Sequence, residues 1–135
     1  MNNTSYTTQQ IHKKVTNLNA DMANEFVKNK LIKHNGKMAI TTSQIRKFLS
    51  AVNCLENKVS AFDKELSQDV ANEIKYLKVK LAYQVGRDNK NQGLRSFYDE
   101  IEPLISQIGT KKENFTKVAR YIEAIVAYHK FNGGE

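Results

Sequence analysis

Between Val70 and Val85 apolar residues return as Val70, Ile74, Leu77, Leu81 and Val85, spaced four, three, four and four apart. At about 100° per residue they fall on one stripe, as a core-facing helix requires. The stretch EIKYLKVKLAYQVGR, residues 73–87, lies inside this segment, which reads as the longest and most apolar helix and the centre of the fold. Its other side carries Tyr76, Lys80, Tyr83 and Arg87, spaced four, three and four apart, a second line of alternating aromatic and cationic residues. One face of this helix is expected to be buried and the other used. Lys78 breaks the pattern: it projects about 40° from Ile74, inside the apolar stripe, where a lysine either snorkels to the core edge or is held for a charged partner.

The same periodicity recurs along the chain. Residues 1–8 are polar and expected to be disordered; Ile11, Val15, Leu18, Met22, Phe26 and Leu31 then read as one long helix or two shorter ones, with Asn17, Asn19 and Asp21 as interruptions. His34-Asn35-Gly36 makes a turn. Thr41 with Gln44 has capping-box spacing, and Ile45, Phe48, Leu49, Val52 and Leu55 give a clean helical stripe over residues 42–57. Ser67 is the expected N-cap of the next helix, and residues 88–93 (DNKNQG) read as a turn cluster. Leu94, Phe97, Ile101, Leu104, Ile105 and Ile108 follow, with Pro103 kinking one helix or starting another. Gly109 ends that segment, and Thr110 with Glu113 suggests a capping box for a last helix lined by Phe115, Val118, Ile122, Ile125, Val126 and His129. Its far side carries Arg120, Glu123, Ala127 and Lys130. With six glycines, one proline and no alternating β-branched runs, the 135 residues predict one all-α domain, a compact bundle of about five helices.

Lysine and arginine number 21 against 14 acidic residues, a net charge of +7, and the excess is scattered through the periodic segments rather than gathered in a tail. A folded basic surface follows, with nucleic acid as the first partner to consider and an anionic membrane surface as the second. No apolar run approaches the roughly 20 residues of a membrane span, and the N-terminus has no secretory leader, so a soluble cytoplasmic protein is expected. The lone Cys54 permits no intrachain disulfide and is expected to pack as a small apolar group.

No catalytic constellation can be assembled. His12, His34 and His129 lie at no metal-ligand spacing, and neither a phosphate-binding glycine loop nor a nucleophile motif occurs, so no cofactor and no enzymatic activity are expected. His129 reads as a packed core or rim histidine, and Glu73, Glu100, Glu102 and Glu123 as ordinary solvated helix charges. Arg46 and Lys47, early in their helix where the macrodipole is already positive, join Thr42, Ser43 and free backbone N-H groups in what a phosphate site needs; the alternative is solvated surface charge. Tyr76 and Tyr83 are expected to pack between helices or subunits, base stacking being the alternative.

The runs ITTSQIRKFLSAV, EIKYLKVKLAYQVGR and ARYIEAIVAYHKFNGG, in this order and spacing, resemble the small subunit of type III-A CRISPR effector (Csm) complexes. The matching positions are Thr41, Thr42, Ser43 and Arg46; then Tyr76, Leu77, Lys78, Val79, Tyr83, Gln84, Gly86 and Arg87; then Arg120, Tyr121, Glu123, Ala124, Val126, Ala127, Tyr128, Lys130, Phe131, Gly133 and Gly134. The resemblance covers residues 40–134 and implies a noncatalytic helical protein whose copies line up along the crRNA and target RNA as an inner filament. Its implied partners are those RNAs, further copies of itself, and the backbone and large subunits of the complex. Lys37, Thr42, Ser43, Arg46, Lys47, Lys78, Arg87, Arg120 and Lys130 are the candidate RNA-binding residues, weight moving from Lys80 to Lys78. Two other classes fit the charge and helix content: a helix-turn-helix DNA-binding regulator, and a helical protein-protein adaptor.

Overall fold

The computed structural model describes residues 13–33 and 35–134; the expectations for residues 1–8, Ile11, His12 and His34 lie outside them. Five α-helices follow one another: α1 Ala20–Phe26, α2 Thr42–Val59, α3 Gln68–Arg87, α4 Gln92–Ser106 and α5 Lys112–Phe131. A single 3-10 turn, Val15–Asn17, precedes α1, and a π-helical turn, Val27–Leu31, prolongs it. Among the described residues no strand forms, and the bundle is all-α as expected.

Most helix starts follow from side chains that satisfy otherwise free N-H groups of a first turn. Asn19 accepts from the Met22 N-H at 2.9 Å, so the first apolar segment is interrupted where its asparagines stand. Thr41 and Gln44 form the full reciprocal capping box of α2, and Ser67 accepts from Val70 to open α3. Asn91 does the same for α4 through the Leu94 N-H at 2.8 Å. That cap corrects the turn cluster expected to reach Gly93: Gln92 and Gly93 are already helical. The glycine serves packing there, since a Cβ at Gly93 would sit 2.5 Å from the Ala39 carbonyl carbon. Pro103 sits inside the continuous α4 and starts no new helix.

The capping box expected at Thr110 and Glu113 does not form. The Thr110 hydroxyl instead donates to Glu65 at 2.9 Å, and the N-cap of α5 is Lys111, without a side-chain cap. A short antiparallel bridge, Glu65 to Lys111, takes the place of the cap by pairing the loop before α3 with the loop before α5. A second bridge, Ile32 to Met38, closes the turn before α2, with Gly36 at φ 82° supplying the left-handed corner.

One apolar cluster runs through all five helices. The helix at its middle is α5, not α3 as expected: α5 packs on α1, α2, α4 and both short turns, and buries Phe115, Val118, Ala119, Tyr121, Ile122, Ile125 and His129. In contrast, α3 packs chiefly on α4 and α2 and buries only Val70, Ala71, Ile74, Leu77 and Leu81. Its sequence is long and apolar, but its stripe is one residue wide, which suits a helix at the edge of a bundle. Edge-to-face contact of Phe48 with Phe97, ring centroids 5.5 Å apart, locks α2 to α4 beneath it. Cys54 lies exposed on α2 rather than packed, because it falls off the Ile45, Phe48, Val52 and Leu55 stripe.

Candidate nucleic-acid interface

Three contacts bring several termini to one end of the bundle. The Gln44 amide donates to Asp88 at 3.3 Å, which sets the start of α2 beside the end of α3. At the opposite end of the same antiparallel pair, Lys58 meets Glu73 at 2.7 Å. The His129 Nε2 lies 2.7 Å from the Ile40 carbonyl oxygen, so the end of α5 also reaches the start of α2. The close approach of Gly93 to Ala39 adds the start of α4.

This arrangement gathers many of the candidate cations. Lys37 in the turn, Ser43, Arg46 and Lys47 in the first turns of α2, Arg87 at the end of α3 and Lys130 at the end of α5 are all exposed and share this end. Lys33 and Lys90 stand there too, in the two turns, and sequence reading did not single them out. They are isolated lysines in loops, and only the topology places them with the others. Among the described residues none of these cations is in an ion pair. The local carboxylate, Asp88, is occupied by the amides of Gln44 and Asn91, the latter at 3.2 Å.

At the other end three cations are paired, Lys58 with Glu73, Lys111 with Glu65 at 3.6 Å, and Lys117 with Glu113 at 3.2 Å, while Lys64 and Lys112 are in no ion pair among the described residues. The net positive charge is therefore expressed unevenly. At the crowded end, uncompensated cations stand around the α2 N-terminus, whose free N-H groups add positive potential of their own. Such a surface attracts an anion more strongly than any one of its residues does, because the potentials of neighbouring like charges add.

Three candidates stand apart. Thr42 is 8% exposed, and its Oγ1 is buried without a hydrogen-bond partner among the described residues, so its hydroxyl faces the interior while Ser43 faces out. The Lys78 Nζ donates to the Ser106 hydroxyl at 2.9 Å and lies 3.7 Å from Glu102, whose carboxylate also accepts from Ser106 at 3.0 Å. The odd lysine of the apolar stripe is thus held by a charged partner on α4. Arg120 is exposed on α5 beside the start of α1, lining a small groove of about 330 Å³ with Asn19, Lys117 and Ala124.

Expectations for the remaining polar groups divide. His129 is fully buried, as its place on the stripe implied. Glu100 is not a solvated charge: its side chain is 13% exposed, accepts from the Tyr121 hydroxyl and pairs with Lys13 at 2.6 Å. Burial, then the hydrogen bond to Glu100 and its negative charge, push the Tyr121 hydroxyl far above the ordinary tyrosine value. Tyr76 and Tyr83 do not pack between helices of this chain, standing 56% and 67% exposed. Among the described residues no three His, Cys, Asp or Glu side chains come together to hold a metal ion. No described helix is long and apolar enough to cross a membrane.

Fold and surface define a class: a small all-α protein with a group of cations at one end that are in no ion pair among the described residues. The family model for Csm2 Type III-A matches residues 13–135. The chain is 38% identical over 95 residues to the CRISPR system Cms protein Csm2 of Enterococcus italicus, covering 68% of this chain and 67% of that one. Against the protein of the same name from Streptococcus thermophilus it is 36% identical over 104 residues, 76% of this chain and 80% of the other. The one from Mycobacterium tuberculosis is 28% identical over 102 residues, 73% and 79% of the two chains. The chain belongs to the Csm2 family, the small subunit of type III-A CRISPR complexes.

Proposed function

We propose that this chain is a noncatalytic RNA-binding subunit whose copies line up along the crRNA and target RNA, each copy holding the RNA backbone by charge and shape. The observation that carries this reading is the group of cations at one end of the bundle, Lys37, Arg46, Lys47, Arg87 and Lys130, which are in no ion pair among the described residues and stand beside the N-terminus of α2. Phosphates are the ligands such a surface favours, and contacts to them carry no sequence information. Sequence recognition would rest with guide-target pairing. Ser43 adds an exposed hydroxyl to the same face. Lys78 and Arg120, on other faces, suit contacts with neighbouring copies or with the backbone and large subunits of the complex. The complex assembles in the cytoplasm, and chemistry on RNA belongs to other subunits.

A helix-turn-helix regulator finds less support, because α2 is preceded by a bridged turn and not by a helix joined through a short glycine turn. Purifying the tagged chain from cells that carry its complex tests the reading. A set of companion protein subunits together with a short RNA of defined length is expected. Recovery of the chain alone, or bound to duplex DNA of one sequence, would sink it.

A further inference from the structure

The face of α3 turned away from the core holds Tyr76, Val79 and Tyr83, with Val79 51% exposed between the two tyrosines. The tyrosines are seven residues apart, so they stand nearly in line and about 10 Å apart along the helix. Scattered exposed apolar side chains need no explanation, but three in one line at the edge of a groove do. This groove, about 460 Å³, runs between α2 and α3; Phe48 and Ala51 form its α2 side, and Lys47, Lys80 and Arg87 bring their charges to it. Among the described residues, none of these three cations is in an ion pair, and no carboxylate lines the groove. Gln84 supplies an amide to its wall.

From this we propose that the α2/α3 groove is a stacking site for unpaired nucleobases, Tyr83 and Tyr76 offering ring faces while Lys47, Lys80 and Arg87 hold the adjoining phosphates. The inference rests on the RNA-binding reading and deepens it. Two features favour a nucleotide over other occupants. Lys47 and Arg87 belong both to the groove and to the cationic end, so a strand held there has its bases within reach of the tyrosines. Tyr83 is also exposed, and its ring already takes one planar group over a face, the Arg87 guanidinium with its carbon 5.7 Å from the centroid, which leaves the other face to a base. A nucleotide joins a flat apolar face to an anion in each repeating unit, matching rings and cations at once. Stacking of this kind tolerates any base, consistent with a surface that does not read sequence.

The test is a binding titration of the full chain, at fixed salt, with two oligoribonucleotides of equal length, one bearing all its bases and one carrying abasic sites. The wild-type chain is expected to bind the base-bearing strand more tightly by about fivefold or more. Tyr83→Ala should bring that affinity down to the level of the abasic strand, and Tyr83→Trp should restore it. Because Tyr83 is exposed, neither change removes core packing, and circular dichroism verifies the fold. Equal binding of both strands by the wild-type chain, with no effect of Tyr83→Ala, overturns the stacking site and leaves phosphate binding standing. Failure of the wild-type chain to bind either strand at low salt overturns both. Loss of self-association in Tyr83→Ala, without any change in RNA affinity, assigns the groove to a second copy and also overturns the proposal.

Discussion

The hydroxyl of Tyr121 on α5 donates to the Glu100 carboxylate on α4 across 2.5 Å, and Glu100 in turn holds Lys13 at the start of the described chain. The three side chains tie the N-terminal segment to the two helices behind it. Removing the hydroxyl leaves a half-buried carboxylate short of a partner, so Tyr121→Phe is expected to cost about 1–3 kcal/mol. The pH dependence has a definite sign. A group whose folded pKa is raised contributes stability below its unfolded value, near 10 for tyrosine, and loses that contribution as pH rises beyond it. Thermal unfolding from pH 8 to 11 should therefore show the gap between wild type and Tyr121→Phe closing above about pH 10. A gap that widened there would contradict the assignment.

Two glycines should respond in opposite directions to the same substitution. A methyl group at Gly93 would meet the Ala39 backbone, which is fixed by the bridge between Ile32 and Met38 and by the Ala39 N-H bond to Leu31. Gly93→Ala is expected to destabilise by about 1–3 kcal/mol, by forcing the turn off α4. Gly86, in the last turn of α3, has no atom of another described element within 4 Å of the position a Cβ would take. Gly86→Ala should stabilise by about 0.4–1 kcal/mol, through the lower entropy of the unfolded chain. Denaturant midpoints of the two variants decide the matter.

That contrast shows which features were legible in the sequence. Caps whose partners lie three residues away, such as Thr41 with Gln44 and Ser67 with Val70, are local, and their spacing reveals them. Thr110 has the same spacing to Glu113, yet its hydroxyl is taken by Glu65, a partner 45 positions away that no local pattern discloses. The apolar stripes marked every helix, while the central position of α5 depends on how the helices meet. The candidate site divides in the same way. Arg46 and Arg87 could be named from their places on helices, but their meeting at one end follows from Gln44 reaching Asp88. Glu100 looked like any helix carboxylate until Tyr121 folded over it.

Thr42 separates a structural hydroxyl from a binding one. Its Oγ1 is buried with no hydrogen-bond partner among the described residues, an arrangement that costs about 1–3 kcal/mol. Valine has the same shape without the polar atom, so Thr42→Val should be neutral or stabilising by up to about 1 kcal/mol, with RNA affinity retained. Differential scanning calorimetry and an RNA titration on the same variant check both halves. A fall in RNA affinity would mean that the hydroxyl turns outward on binding.

Charge at the crowded end should be read most directly by salt. If Arg46 and Arg87 neutralise phosphates, each contributes counterion release that depends on charge and position rather than on the bases bound. Arg46→Ala and Arg87→Ala are each expected to weaken binding to unrelated RNA sequences about equally. Each should also make the slope of log K against log salt shallower by about 1 unit. Lys78→Ala should behave differently, because its ammonium is held by Ser106 and Glu102 away from that end. Its loss leaves Glu102 short of a cation at the α3 to α4 contact, which lowers stability by at most about 1 kcal/mol for a partly exposed pair and leaves the slope as it was. Titrations at four or five salt concentrations, with two unrelated RNAs, compare all three variants. Equal slopes for Arg87→Ala and Lys78→Ala would show that phosphate contact is not concentrated at the end where α2 begins and α3 stops.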